Sequence, residues 1–321
     1  KILHREYGGM VRVVGMADGS GCAEDPQGLP MAELLRLFEL GLPLRDLKLE
    51  TLGPQGVFHC AETADGAAKR NSMHNRVQAD VFVPAGGRPS SINGSNWRDF
   101  LLPDGSPSAR AIVEGANLFV TAEARQALFE HCALPIIKDS SANKCGVICS
   151  SMEIVAGMLV NDDEFIKLKP DYVPEVLATL RVLARREAQL LFAEARRRPD
   201  VSMPQLSESI SRAILRVTDA TGAQLENFGP EQKGRLWPLT REHLPPPLYD
   251  GYASRIAGRL PWEYTKNMIA CSLASRLVYR EGLAYVSGIP DNTLPQVCLR
   301  YLQEEQRVRE LAEEVGASGM E

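Results

Sequence analysis

The stretch IVEGANLFVTAEARQALFEHCALPIIKDSSANKCGVICS, Ile112 to Ser150, decides the fold. It holds two short apolar runs, one ending in Glu114-Gly115-Ala116-Asn117 and one in Ser140-Ser141-Ala142-Asn143. A short apolar run that stops at turn formers reads as a buried parallel strand, although a buried helical segment gives the same pattern. Between the runs, Thr121 to Cys132 has a helical pattern, with Thr121 as N-cap and Glu123 in the first turn. Strand, helix, strand predicts a parallel pair joined by a right-handed crossover. In such sheets ligands lie just past the carboxyl ends of the strands, which is where both Asn-bearing turns fall. Asn carries two donors and an acceptor and so matches a carboxamide, while Gly and Ala let a flat ring approach the backbone. Each turn also reads as an ordinary strand end in which Asn and Gly serve backbone geometry.

Upstream, Lys1 to Gly9 reads as the end of a helix, and Met10 to Asp18 as a β-branched strand closed by an acid. Pro30 to Gly41 reads as a helix with Leu34, Leu37 and Phe38 on its inner face. Val57 to Cys60 is a short strand, Lys69 to Arg76 an exposed polar segment, and Val81 to Ala85 a strand broken by Pro84. Downstream of Val147 the pattern turns helical. Val173 to Arg198 reads as one amphipathic helix, with Val176, Leu180, Leu183, Leu190 and Leu191 apolar and Pro199 as its stop. Leu206 to Thr218, Trp262 to Glu281 and Leu294 to Glu314 follow as helices, and Leu244 to Tyr249, LPPPLY, as an extended linker. The expected architecture is α/β: an incomplete Rossmann-like, mostly parallel sheet over residues 1–150, then an α-helical carboxyl-terminal region over residues 151–321.

Composition excludes several function classes. A chain of 321 residues is long enough for two cores. Its net charge of −5 gives no electrostatic footprint for nucleic acid. The arginines between Arg181 and Arg198 fit a solvated helix face and a positive helix end. No run reaches the ~18 apolar residues of a membrane span. The seven cysteines form no C-x-x-C pair, which argues against a disulfide framework or structural zinc and for a reducing compartment. Cys145 and Cys149 read as small buried apolar residues.

VEGAN with TAEAR (Thr121 to Arg125), and SANKCGV running into SSME (Ser150 to Glu153), resemble the glutamate dehydrogenases. VFVPAGGRPSSIN (Val81 to Asn93) and RLPWEYTKNMIACSLASRLVYREGL (Arg259 to Leu283) resemble the large NAD-dependent branch of that family. The resemblance implies oxidative deamination of L-glutamate to 2-oxoglutarate and ammonia, with hydride transfer to NAD. It implies cofactor contacts at Asp18, Pro84, Ala85, Asn117 and Asn143, with Asn117 and Asn143 near the nicotinamide and its ribose. Asp18, closing a strand beside glycine, reads as an ordinary turn former; under the resemblance it becomes the acid that accepts from the ribose hydroxyls and repels a 2′-phosphate. Val147 and Ser150 match family positions that line the glutamate pocket and hydrogen-bond its distal carboxylate. If a helix opens near Gly146, the two residues share a face. Ser150 also reads as a helix cap or a back-bonded hydroxyl.

The chain departs from the family pattern in three places. No G-x-G-x-x-G turn follows a first strand, so the chain is expected to begin partway through the first helix of the cofactor domain. The amino-terminal substrate domain, which carries the family's catalytic lysines and aspartate, is expected to be missing, and no residue here is assigned a catalytic role. Cys145 stands where the wider family has a glycine, and there a side chain would crowd the cofactor. The alternative to part of a dehydrogenase is a non-catalytic structural subunit descended from one. A third reading is another NAD-dependent dehydrogenase. The resemblance further implies a homo-oligomer or larger assembly, located in the mitochondrial matrix or cytoplasm.

Overall fold

The computed structural model describes residues 1–240, 243–301, 303, 304 and 307. The chain forms two compact units, the first Lys1–Asp139 and the second beginning at Ser140.

The first unit opens with α1 (Ile2–Tyr7), closed by Gly8. β1 (Gly15–Ala17), β2 (Gly21–Glu24) and β3 (Val57–Cys60) follow and form one antiparallel sheet in that order. Met10 to Asp18 thus yields a strand, but its neighbour is a hairpin return. The Asp18–Gly21 turn is far too short for the crossover that a parallel pair needs. α2 (Met31–Leu40) ends at Gly41 in the left-handed conformation and buries Leu34 and Leu37 with Leu29, Leu44 and Leu47. Its buried face runs through Glu33, Leu34 and Leu37, so Phe38 falls off the edge and is exposed, contrary to expectation. Glu33 accepts from Arg36 at 2.6 and 2.8 Å and from the Lys48 backbone N–H at 2.9 Å, which fixes the segment carrying Leu44 and Leu47.

Thr63 caps α3 (Ala64–Asn71) through the Gly66 N–H at 3.0 Å, and α4 (Met73–Arg76) follows. Much of Lys69 to Arg76, expected to be exposed, is half-buried. Two side chains explain this. Arg76 pairs with Glu24 of β2, and the His74 ring stacks on Phe82 at 5.4 Å and meets the edge of Phe119 at 5.9 Å.

The parallel part of the fold is the expected one. β4 (Ile112–Val113) pairs in parallel with β5 (Ile136–Ile137), with Ile112 opposite Ile136. The segment through Phe82 flanks β4 on its other side: Phe82 N–H donates to Ala111 at 2.9 Å and Val113 N–H to Phe82 at 2.9 Å. α5 (Ala122–Cys132) connects the pair, capped by Thr121 as expected. Ile112 and Ile136 alternate inward onto a core with Phe100, Phe119, Val120 and Leu128.

The second unit is helical, as expected: α6 (Asp139–Ala142, starting on the last residue of the first unit), α7 (Cys145–Leu159), α8 (Asp162–Arg197), α9 (Met203–Glu226), α10 (Pro230–Thr240), α11 (Pro246–Arg259) and α12 (Trp262–Ser287). α8 begins well before the expected Val173. Asn161 and Glu164 form a capping box, and Pro170 and Pro174 lie inside the helix. LPPPLY is not a linker: Pro245 caps α11, Pro246 opens it, and Leu244 and Leu248 are buried with Val155, Leu159, Tyr172 and Val176. α9 packs along α12. α12 bends at Gly282, whose φ of 82° suits glycine, and Glu194 of α8 accepts the Leu283 N–H there at 3.4 Å. Residues 294–301 are helical, and the remainder of the expected last helix lies largely outside the described residues. Among the described residues, no helix is long and apolar enough to cross a membrane.

Burial, then the charges of Arg88 and Arg76, push the His74 imidazole from 6.5 down to about 4. The folded protein therefore holds the neutral ring. The stability this contributes is complete above about pH 6.5 and is lost as pH falls toward about 4. Urea midpoints taken across that interval are expected to fall more steeply for the native sequence than for His74→Leu. Parallel profiles would refute the assignment.

Candidate functional site

The carboxyl ends of the parallel strands in the first unit bring together the segments 84–87 and 114–118. Glu114 N–H donates to Ile137 at 3.0 Å, and Ala116 N–H donates to the Pro84 carbonyl at 2.8 Å. Gly115 lets the two segments approach closely: a Cβ on it would stand 3.3 Å from that same carbonyl, which would have to shift by a few tenths of an ångström. Pro84 is buried, whereas Ala85, Gly86, Gly87, Gly115 and Asn117 are exposed. A Cβ on Gly86 or Gly87 would meet nothing within 4 Å, so this edge is open. An open edge of small residues beside an amide is what a planar, carboxamide-bearing ligand needs.

Three buried charges hold the edge. Glu114 is fully buried, and its two oxygens accept from Arg125 Nε and Nη2, each at 2.7 Å. Arg125 Nη2 also lies 3.5 Å from Asp139, whose other oxygen accepts the Leu118 N–H at 2.9 Å. Leu118 is thereby held at φ 59°, a left-handed conformation that costs a non-glycine residue energy. Its carbonyl accepts the Ser90 N–H at 2.7 Å. The strained residue directly follows Asn117, so the ion triad sets the direction of the Asn117 backbone. Sequence reading passed over Glu114, Arg125 and Asp139 as ligands of one another. The available signal was an acid closing a strand and an arginine in the first turns of the next helix, eleven residues on.

Asp18 lies at the end of β1, exposed. One oxygen accepts from the Ser20 N–H at 2.7 Å and the Ser20 hydroxyl at 2.5 Å, and the other from the Leu44 N–H at 2.7 Å. Partial burial opposes the charge, but these hydrogen bonds outweigh it and lower the Asp18 pKa. Asp18 is thus ionised, exposed, and already shapes its turn.

The remaining expected site residues belong to the second unit. Asn143 lies between α6 and α7, and its carbonyl accepts the Gly146 N–H at 3.0 Å. Val147 and Ser150 stand three apart on α7, both exposed, with Val147 74% accessible. Among the described residues no hydrogen bond engages the Ser150 hydroxyl, and Ser150 lies inside α7, so neither capping nor back-bonding occupies it. Cys145 does not project from this surface. Its thiol packs against the core beneath α7 and donates to the Leu180 carbonyl at 3.7 Å. Among the described residues, no group of three or more His, Cys, Asp or Glu is placed to hold a metal ion.

A family model described as Glutamate/Leucine/Phenylalanine/Valine dehydrogenase matches residues 5–191, and the chain belongs to that family. It is 33% identical to glutamate dehydrogenase 2 of Dictyostelium discoideum over 85% of this chain and 28% of that protein. It is 31% identical to the NAD-specific glutamate dehydrogenase of Saccharomyces cerevisiae, over 84% of this chain and 27% of that one. For the Neurospora crassa protein of the same name the identity is 32%, over 83% and 27%. The chain thus spans less than a third of the length of these curated relatives.

Glu114→Ala strands Arg125 in the core without its nearest acceptor and is expected to cost about 3–5 kcal/mol in urea unfolding. Glu114→Leu combined with Arg125→Met removes both charges and is expected to recover most of that loss. Equal destabilisation by the single and the double change would show that the triad does not behave as an ion cluster.

Proposed function

We propose that this chain forms the cofactor-binding part of an NAD-dependent glutamate dehydrogenase. The reaction oxidises L-glutamate with NAD and water to 2-oxoglutarate, ammonia and NADH. The observation that carries this reading is the open carboxyl edge of the parallel strands, where Ala85, Gly86, Gly87, Gly115 and Asn117 stand exposed over a buried ion triad. Family membership and the likeness to NAD-specific glutamate dehydrogenases support the choice of cofactor and substrate.

When bound, NAD supplies the hydride acceptor; the protein's part is to seat and orient it. Ala85 gives the dinucleotide a close backbone approach, and Pro84 fixes that segment through its carbonyl. Asn117 and Asn143 offer amides to the nicotinamide end. Asp18 accepts from the adenosine ribose hydroxyls and repels a 2′-phosphate, which favours NAD over NADP. Val147 supplies an apolar wall for glutamate, and the unengaged Ser150 hydroxyl donates to its distal carboxylate. No side chain of this chain is assigned the proton transfers of the reaction, which fall to residues of the longer protein.

Calorimetric titration of the full-length protein tests the reading. NAD is expected to bind, NADP to bind more weakly, and Asn117→Ala to raise the Kd for NAD about tenfold, or ~1.4 kcal/mol. Asp18→Asn keeps an acceptor oxygen for the turn while removing the charge, and is expected to narrow the gap between NAD and NADP. Absence of NAD binding by the full-length protein would overturn the proposal.

A further inference from the structure

Asn143 lies in the two-residue junction between α6 and α7. Ser141, two residues before it, and Lys144, directly after it, are tied to one carboxylate. Glu187 of α8 is 4% exposed. One of its oxygens accepts the Ser141 hydroxyl at 2.6 Å, and the other accepts Lys144 Nζ at 2.6 Å and the Tyr279 hydroxyl of α12 at 2.6 Å. Ser141 also shares a hydrogen bond of 2.6 Å with Ser207 of α9, itself buried. Lys144 Nζ reaches the Tyr279 oxygen at 3.3 Å. Three helices that are remote in sequence therefore converge on the two residues that bracket Asn143.

A network of this kind is expensive as a source of stability alone. Burying a carboxylate beside a half-buried ammonium costs desolvation energy, and apolar replacements of similar volume are often as stable. What a fully satisfied buried network does provide is a single geometry for the groups it holds. Burial and the adjacent Glu187 charge raise the Tyr279 pKa, so its hydroxyl remains a donor to Glu187 throughout the working pH range.

We infer that Glu187, with Tyr279, is a positioning residue of the cofactor site: by clamping Ser141 and Lys144 it fixes the direction in which Asn143 presents its amide to the nicotinamide. The inference rests on the proposed function and adds the element that holds Asn143 in place. Loss of the clamp leaves the adenosine end of the ligand untouched and loosens only the nicotinamide end.

The test is glutamate oxidation by the full-length protein, measured as kcat/KM for NAD, with ADP-ribose, which lacks the nicotinamide, as a competitive inhibitor. Tyr279→Phe, which removes one hydroxyl and keeps the ring, and Glu187→Gln, which keeps the shape, are expected to lower kcat/KM about tenfold, the scale on which small misplacements act. The Ki of ADP-ribose is expected to stay unchanged. In an Asn143→Ala background the same changes are expected to add little, because the group they position is gone. A purely structural role predicts instead that the losses multiply in that background, and that result overturns the inference while leaving the cofactor assignment intact. A parallel rise in the Ki of ADP-ribose overturns it equally. If Asn143→Ala alone leaves kcat/KM for NAD unchanged, the assignment of Asn143 to the cofactor and the inference fall together. Thermal melting of Tyr279→Phe separates any of these outcomes from misfolding.

Discussion

The buried pairing of Glu114 with Arg125 is the constraint on which the sheet unit depends. A carboxylate with no exposure and a guanidinium with little are tolerated in an apolar core because each answers the other through two short parallel hydrogen bonds. The pairing does more than neutralise charge. It ties the end of β4 to the crossover helix, and through Asp139 it reaches the strand that completes the pair. The loop between these anchors has no freedom left, and Leu118 sits in a left-handed conformation that unconstrained backbone would leave. The open edge beside Ala85 and Gly115 exists because the charges lie beneath it rather than on it.

The helical unit solves a similar problem with different parts. Its core is apolar along α7, α8 and α11, and its polar contacts gather where chain direction changes. Asn161 and Glu164 start α8 and, through Arg255, attach it to α11. Glu194 receives the backbone donor freed where α12 bends at Gly282 and pairs with Arg197 and Arg198. Cys145, which under the resemblance stands at a glycine position, shows how a side chain is accommodated there. By starting α7 with its thiol turned toward Leu180, the protein converts a crowding problem into a packing contact.

Local signals were legible in the sequence. Thr121 and the alternation around it announced the parallel pair, since a cap and an apolar run depend on neighbours a few residues away. The helical character of the second half was equally plain. Features set by distant partners were not. Nothing near Asp18 showed that its strand would fold back on itself rather than cross over. Phe38 looked inward by periodicity, but the covering segment with Leu44 and Leu47 reaches only part of the helix. Prolines misled in both directions: Pro170 precedes the helix start expected at Val173 yet sits inside α8, and Pro245-Pro246 read as a linker when they open a helix. Ser141, Lys144 and Glu187 carry no local mark at all, because the last two are 43 residues apart. Of the expected site, Ala85 and Asn117 stand exposed on the open edge and Pro84 beneath it. Val147 and Ser150 share the face that helix opening at Cys145 gives them.

The two prolines within α8 divide that helix into stretches with unequal ties. Neither proline has an amide hydrogen, so the ladder loses rungs in the first half of the helix while the later turns keep theirs. Tyr172, between the prolines, ties that part to α7 by donating its hydroxyl to the Met152 carbonyl, whereas Glu187 and Glu194 lie in the uninterrupted part. The opening turns of α8 therefore rely on the Asn161–Glu164 capping box and the Glu164–Arg255 pair rather than on an unbroken ladder, so that one end of a long rod is pinned by side chains and the other by its own backbone.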